Sequence, residues 1–158
     1  MSVDYIVSSL PSLSFGAPAP ISWERFVAVC GGEGMIRGAL DRSAWSDLET
    51  QLRNAVAEAR VGNDGFARPT NGCSLFWKNR VIAAFQEKDI AKRDELLDRI
   101  WWDAADELVP PASPLGAGAL AAYAIRLKIA VKRAAISRDA GNAAFDRLTA
   151  ETKLEFGK

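Results

Sequence analysis

Leu120, Ala124, Leu127, Val131 and Ala134 follow one another in steps of four and three, and this ladder constrains the 158-residue chain more than any other feature. Residues so spaced share a face only in an α-helix, and a narrow stripe of this kind lets the helix lie along a neighbour in near-parallel packing. The alanines in it allow a close approach. Upstream, the same spacing places Leu48, Leu52, Ala55, Val56 and Ala59 on one face of a helix ending near Val61. It recurs for Leu75, Phe76 or Trp77, Val81, Ile82 and Phe85, and again for Ile90, Leu97, Ile100, Trp101, Ala104 and Leu108. Phe145, Leu148 and Leu154 mark a last amphipathic segment. No persuasive strand pair and no fixed-period repeat occurs, so the expected class is all-α: a single helical bundle of about five to six helices.

Proline and glycine set the boundaries. Pro11, Gly16, Pro18 and Pro20 forbid a regular helix across residues 3–21, which predicts an extended, Pro-rich N-terminal arm over residues 1–21. Leu10, Leu13, Phe15 and Ile21 are too apolar for a free linker, so the arm is expected to cross the helical body and cover part of its core. A first helical half spans residues 22–61. Ser22 is suited to cap its first helix and Gly31 and Gly32 to stop it; a weaker turn fits Met35 to Leu40, and the SxxE box from Ser46 to Glu49 opens the longer helix. Residues 62–73 read as a loop, and residues 74–158 as the second half, opened by Ser74. Pro110, Pro111 and Pro114 end the helix through Leu108, and Ser113 with Pro114 reads as cap and first-turn proline of the helix that carries the ladder. Gly141-Asn142 suggests a break or bend there. The whole, residues 1–158, reads as one domain, because 49% apolar residues suffice for a continuous core.

Charge and residue usage narrow the function. Twenty basic against 20 acidic residues give a formal charge of +0, so no global field draws nucleic acid or an anionic membrane. With 0 His, and with Cys30 and Cys73 far apart, zinc sites and Ser/His or Cys/His catalysis are not expected. The start, Met1 to Val7, has no basic region leading into an apolar one, and no segment approaches the ~20 apolar residues needed to cross a bilayer; a cytoplasmic location is the expectation.

The spelling GxGxxA at Gly116 to Ala121 matches a dinucleotide fingerprint, yet the fingerprint needs a buried strand before it, and the proline-rich stretch from Val109 to Pro114 is none. Small residues that let two helices approach explain it better. Gly31 to Gly34 lacks the Lys and Ser or Thr of a P-loop and reads as a turn. Asp103, Asp106 and Glu107 could hold Mg²⁺, but helical spacing puts Asp103 with only one of the others on a face. No cofactor or metal is expected. Cys30 reads as a small buried hydrophobe, and Cys73 as the more reactive thiol, without a base to activate it. Trp23, Trp77 and Trp101 fall on apolar stripes, whereas Trp45 and Trp102 do not, and Trp102 reads as an edge or interface residue. Residues 87–107 hold eight acidic and four basic groups, while Arg126, Lys128, Lys132, Arg133 and Arg138 form a basic stripe with no acid among them. The two helices can pair as a solvated surface. Alternatively the basic residues, with Trp102, are the candidate surface for a partner protein.

Three segments carry a likeness: Tyr5 to Ser22 (YIVSSLPSLSFGAPAPIS), Trp101 to Leu108 with the prolines after it, and Ala122 to Arg133 (AYAIRLKIAVKR) continuing to Gly141. Together they resemble a family of short bacterial proteins encoded beside V/A-type ATPase subunits. The helical pattern of that family is similar to part of the C-type subunits of V-type ATPases, the connectors that cap the rotor ring and receive the central stalk. This resemblance implies an all-helical, noncatalytic accessory or connector protein, with stalk or ring subunits as partners and a place at the inner membrane held through them. It implies no catalytic residue. The chain is much shorter than a full connector of that type. The residues themselves leave two other classes open: an independent module taking a peptide or small ligand in a Trp-lined groove, and an enzyme using Cys73 or the carboxylates.

Overall fold

A computed structural model describes residues 2–61 and 74–156, with the backbone alone for 137–144 and 152–156. The loop expected at 62–73, Cys73 with it, and the side chains of Arg138 and Leu154 lie outside the described residues. The structure is mostly helical, with no strand among the described residues. Seven α-helices occur there in the order α1 (Val3–Ser9), α2 (Trp23–Val29), α3 (Glu33–Arg42), α4 (Trp45–Val61), α5 (Leu75–Phe85), α6 (Ile90–Ala104) and α7 (Ala117–Phe156). A 3₁₀ turn (Ala105–Leu108) follows α6 directly.

The first helix corrects the expectation of an arm extended from its start. The first proline is Pro11, so nothing prevents a turn of helix before it, and Ser2 Oγ caps that turn by accepting from the Tyr5 N–H at 3.4 Å. Ile6 is buried by it. From Leu10 to Ser22 the chain is non-helical, and Leu10, Leu13, Phe15 and Ile21 pack half-buried on the core. Ser22 caps α2 through the Arg25 N–H at 3.1 Å, and Gly31 and Gly32 stop it with φ of 77° and 128°, values that L side chains avoid. The Met35–Leu40 turn extends to the whole of α3. Ser46 does not open α4: Ser43 Oγ accepts from the Trp45 N–H at 3.2 Å, one turn earlier, and Ser46 lies inside the helix.

Leu48, Leu52 and Ala55 of α4 are buried as their spacing predicts, with Val56 and Ala59 half-buried beside them. On α5 the inward face is Trp77, Val81 and Ala84, while Leu75, Phe76 and Ile82 are exposed. That face packs against α4 on one side and α6 on the other. The stripe on α6 also differs from the expected one. Ile90 is 76% exposed and Trp102 only 7%, with Trp101 half-buried. Since α6 touches α4 and α5 across one arc and α7 across another, its buried arc is wider than a single stripe and takes in both tryptophans.

The helix carrying the ladder begins at Ala117, after a turn closed by Gly116 N–H to the Ser113 carbonyl at 3.3 Å, and not at Pro114. It runs unbroken through Gly141 and Asn142, so neither a turn nor a break occurs there; one glycine costs a helix only about 1 kcal/mol. Forty residues make it roughly 60 Å long. Leu120, Ala121, Ala124, Leu127 and Ala130 are buried against the body, chiefly α3 and the 3₁₀ turn, whereas Val131, Ala134, Phe145 and Leu148 are exposed. Gly118 explains the glycine-rich start: a Cβ there would stand 1.9 Å from the Leu108 carbonyl oxygen, so its absence is what lets α7 meet the 3₁₀ turn. No helix among the described residues is long and apolar enough to cross a membrane.

Candidate functional site

The charges that diverge along the sequence meet where α6 faces α7. Asp98 is buried on α6 and accepts from Lys132 Nζ at 2.9 Å and Arg133 Nη1 at 3.1 Å. A buried carboxylate is tolerated only when its lone pairs are filled, and two cations from α7 fill them. Nearer the 3₁₀ turn, Arg126 donates to the Trp102 carbonyl from Nε at 3.1 Å and Nη2 at 3.0 Å, pairs with Asp106, and lies 5.5 Å over the Trp102 ring. The carboxylates that could have formed a metal cluster are thus separately engaged. Asp103 pairs with Arg80 and Arg99, and Glu107 accepts from Trp77 Nε1. No cluster of three or more Cys, Asp or Glu able to hold a metal is found among the described residues.

The N-terminal arm closes over this charged seam. The guanidinium of Arg99 lies 5.0 Å and that of Arg133 5.1 Å from the centre of the Phe15 ring, which meets Trp102 edge to face at 5.5 Å between centroids. Both guanidinium groups draw on the quadrupole of the one ring. Tyr123 of α7 donates its hydroxyl to the Pro11 carbonyl at 2.8 Å, and burial pushes its pKa up to about 12. Beside Phe15 the turn through Gly16 and Pro18 borders a hollow of about 320 Å³, lined also by Trp102, Ala130, Arg133 and Ala134.

A second hollow, of about 230 Å³, lies between α3 and α7, lined by Trp23, Glu33, Arg37, Asp41 and Lys128. Lys128 Nζ stands 4.9 Å from the centre of the Trp23 ring. Neither Lys128 nor Arg37 takes part in an ion pair among the described residues.

Of the candidate partner residues, Trp102 is thus buried, Arg126, Lys132 and Arg133 bind α6, and Lys128 is exposed over an aromatic ring. Arg138 lies where only backbone is described. Two residues that organise the seam, Asp98 and Phe15, are not singled out by the sequence as site residues. The signal for Asp98 is its place one helical turn before Trp102, on the face turned to the basic helix. Cys30 is buried in α2's C-terminal turn, and burial raises its thiol pKa.

A scan against protein-family models and searches of curated proteins and of solved structures found no match to this chain.

Proposed function

We propose that this chain is a noncatalytic accessory or connector subunit of a V/A-type rotary ATPase, cytoplasmic and held at the membrane periphery through its partner subunits. The likeness of residues 5–22, 101–108 and 122–141 to proteins encoded beside such ATPases motivates the ATPase part. One observation supports the noncatalytic part: Asp98, Asp103 and Asp106 are each engaged by Lys or Arg side chains in ion pairs that fix the fold, Asp98 with Lys132 and Arg133 above all. A connector acts through surface, and the exposed cations Lys128 and Arg37 around Trp23 offer a face whose charge is not answered by an ion pair among the described residues.

Affinity purification of the tagged protein from gently extracted native membranes and cytoplasm, read by mass spectrometry, tests this reading. Stalk or ring subunits should accompany the protein, and Lys128→Glu with Arg37→Glu should reduce them at unchanged thermal stability. Recovery of no ATPase subunit would sink the reading. A second reading, an independent module for a peptide or small ligand, is favoured by the hollow beside Trp102, whose volume of about 320 Å³ reaches the range of small-ligand sites.

A further inference from the structure

The hollow beside Phe15 joins residues of three kinds. Phe15 and Trp102 bring aromatic rings, Gly16, Ala17 and Ala134 bring little or no side chain, and Arg133 brings charge. The small residues keep the space open, and the arm turns there through Gly16, whose φ of 83° L side chains avoid. Arg133 is not fully used by its partners on α6. Its Nη1 donates to Asp98 at 3.1 Å, but Nη2 stands 3.8 Å from Glu95, beyond hydrogen-bond reach, and neither Nη2 nor Nε donates to an acceptor among the described residues. These two adjacent nitrogens are a fork with which arginine takes a carboxylate through parallel bonds.

The surrounding charge favours an anion. Arg80, Arg99, Lys132 and Arg133 are paired with Glu95, Asp98 and Asp103, so four cations face three carboxylates and one positive charge is left over. Arg99 and Arg133, which belong to different ion pairs, come together at the Phe15 ring, beside the hollow.

We propose that this hollow binds a small aromatic carboxylate, its ring against Phe15 and Trp102 and its carboxylate on Nε and Nη2 of Arg133. The proposal rests on the ligand-module reading given above, which it deepens, and needs no ATPase. A volume of about 320 Å³ is the lower end for a small-ligand site, room for one ring system with a short acid chain. Phe15 and Gly16 belong to the arm, Trp102 to α6, and Arg133 and Ala134 to α7, so a bound acid ties the arm to the helical body.

Titration of the full isotope-labelled chain, followed by its backbone and indole N–H resonances, tests this with phenylacetate, its neutral amide phenylacetamide, and acetate. Phenylacetate should bind saturably with a dissociation constant on the order of 1 mM, as a ligand of about ten non-hydrogen atoms can, and shift the signals of Gly16, Ala17 and the Trp102 indole. Phenylacetamide and acetate should each bind at least roughly tenfold more weakly. Arg133→Gln leaves Lys132 on Asp98 and should bring phenylacetate down to the level of the amide; the comparison of acid with amide in the parent chain stands whether or not that variant folds. Ala134→Leu fills the hollow from an exposed position, so it should weaken phenylacetate roughly tenfold while the thermal midpoint stays within about 2 °C. The tripeptide Gly-Gly-Phe carries the same ring and carboxylate at a chain end: tighter binding than phenylacetate assigns the site to peptide termini, weaker binding to free acids. Phenylacetamide bound as tightly as phenylacetate would overturn the carboxylate and leave the ligand-module reading standing. No saturable binding of any probe up to about 20 mM would overturn both. Binding of phenylacetate indifferent to Ala134→Leu would overturn the hollow as its place.

Discussion

Adding a single methyl group at Gly118 should be among the more damaging small changes available to this chain. Its Cβ would lie 1.9 Å from the Leu108 carbonyl oxygen and 3.0 Å from the carbonyl carbon, and ordinary contact at 3.4 Å is restored only if two backbones separate by about 1.5 Å. Neither can yield alone: Leu108 ends the 3₁₀ turn behind buried Ala104 and Ala105, and Gly118 precedes buried Leu120 and Ala121. Overpacking of this kind costs roughly 1–3 kcal/mol, and two stiff backbones place it at the upper end. Replacing glycine by alanine in a helix returns about 1 kcal/mol, leaving a net loss of about 2 kcal/mol. For a chain of this size that lowers the thermal midpoint by roughly 4–8 °C. Gly38→Ala is the internal control. Its Cβ meets only the tip of the Arg42 side chain, at 3.2 Å, so relief is easy and a gain of roughly 0.5–1 kcal/mol is expected from helix propensity. Paired thermal and urea unfolding of the two variants gives the answer. Were Gly118→Ala as stable as the parent, the close approach of α7 to the 3₁₀ turn would be wrong.

Asp98→Ala should destabilise by roughly 2–4 kcal/mol, because it strips Lys132 and Arg133 of their shared counter-charge, and a double-mutant cycle of Asp98→Asn with Lys132→Met should return a coupling of roughly 0.5–3 kcal/mol; additivity would refute the pairing. Tyr123, with its pKa raised from 10 to about 12, keeps its proton in the folded chain after the unfolded chain has lost it, so stability should be level below about pH 10 and fall as pH climbs from 10 to 12. Tyr123→Phe should flatten that alkaline decline and cost about 1 kcal/mol at neutral pH for the lost bond to Pro11, both read by urea unfolding across pH. In a Cys73→Ser chain, Cys30 should react with a thiol reagent only as fast as the protein opens, its buried neutral thiol being a poor nucleophile; prompt labelling in native buffer would contradict its placement.

Helical class is legible because periodicity is a local property: Leu48, Leu52 and Ala55 must share a face wherever their helix packs. Where a helix has two neighbours, the signal degrades. Trp102 reads as an edge residue when α6 is given one stripe, and its second arc becomes visible only once α7 and the arm are in place. Asp98 escapes for a related reason. A carboxylate in a helix reads as surface unless its cations are known, and they come from residues 34 and 35 positions further on. The joining of acidic and basic helices is one of two readings the sequence leaves open, since charge composition says that opposite signs can meet but not whether they meet within one chain. Ser43 and not Ser46 serves the start of α4, although only Ser46 opens an SxxE box, because the helix begins at Trp45 and leaves Ser46 inside it.

The bond from Tyr123 to Pro11 joins residues 112 positions apart, and Phe26 leans on the same tyrosine with ring centroids 5.3 Å apart. On the ribosome, then, Pro11 and Phe26 are made long before the tyrosine that seats them. At about 5–20 residues per second, Ile6, Phe15 and Phe26 wait roughly 5–20 s for α7 to emerge. Throughout that interval a nascent chain bears these apolar side chains unsheltered, a natural substrate for a holding chaperone. Helices α4 to α6, whose contacts are mutual and near in sequence, can meanwhile assemble beneath it.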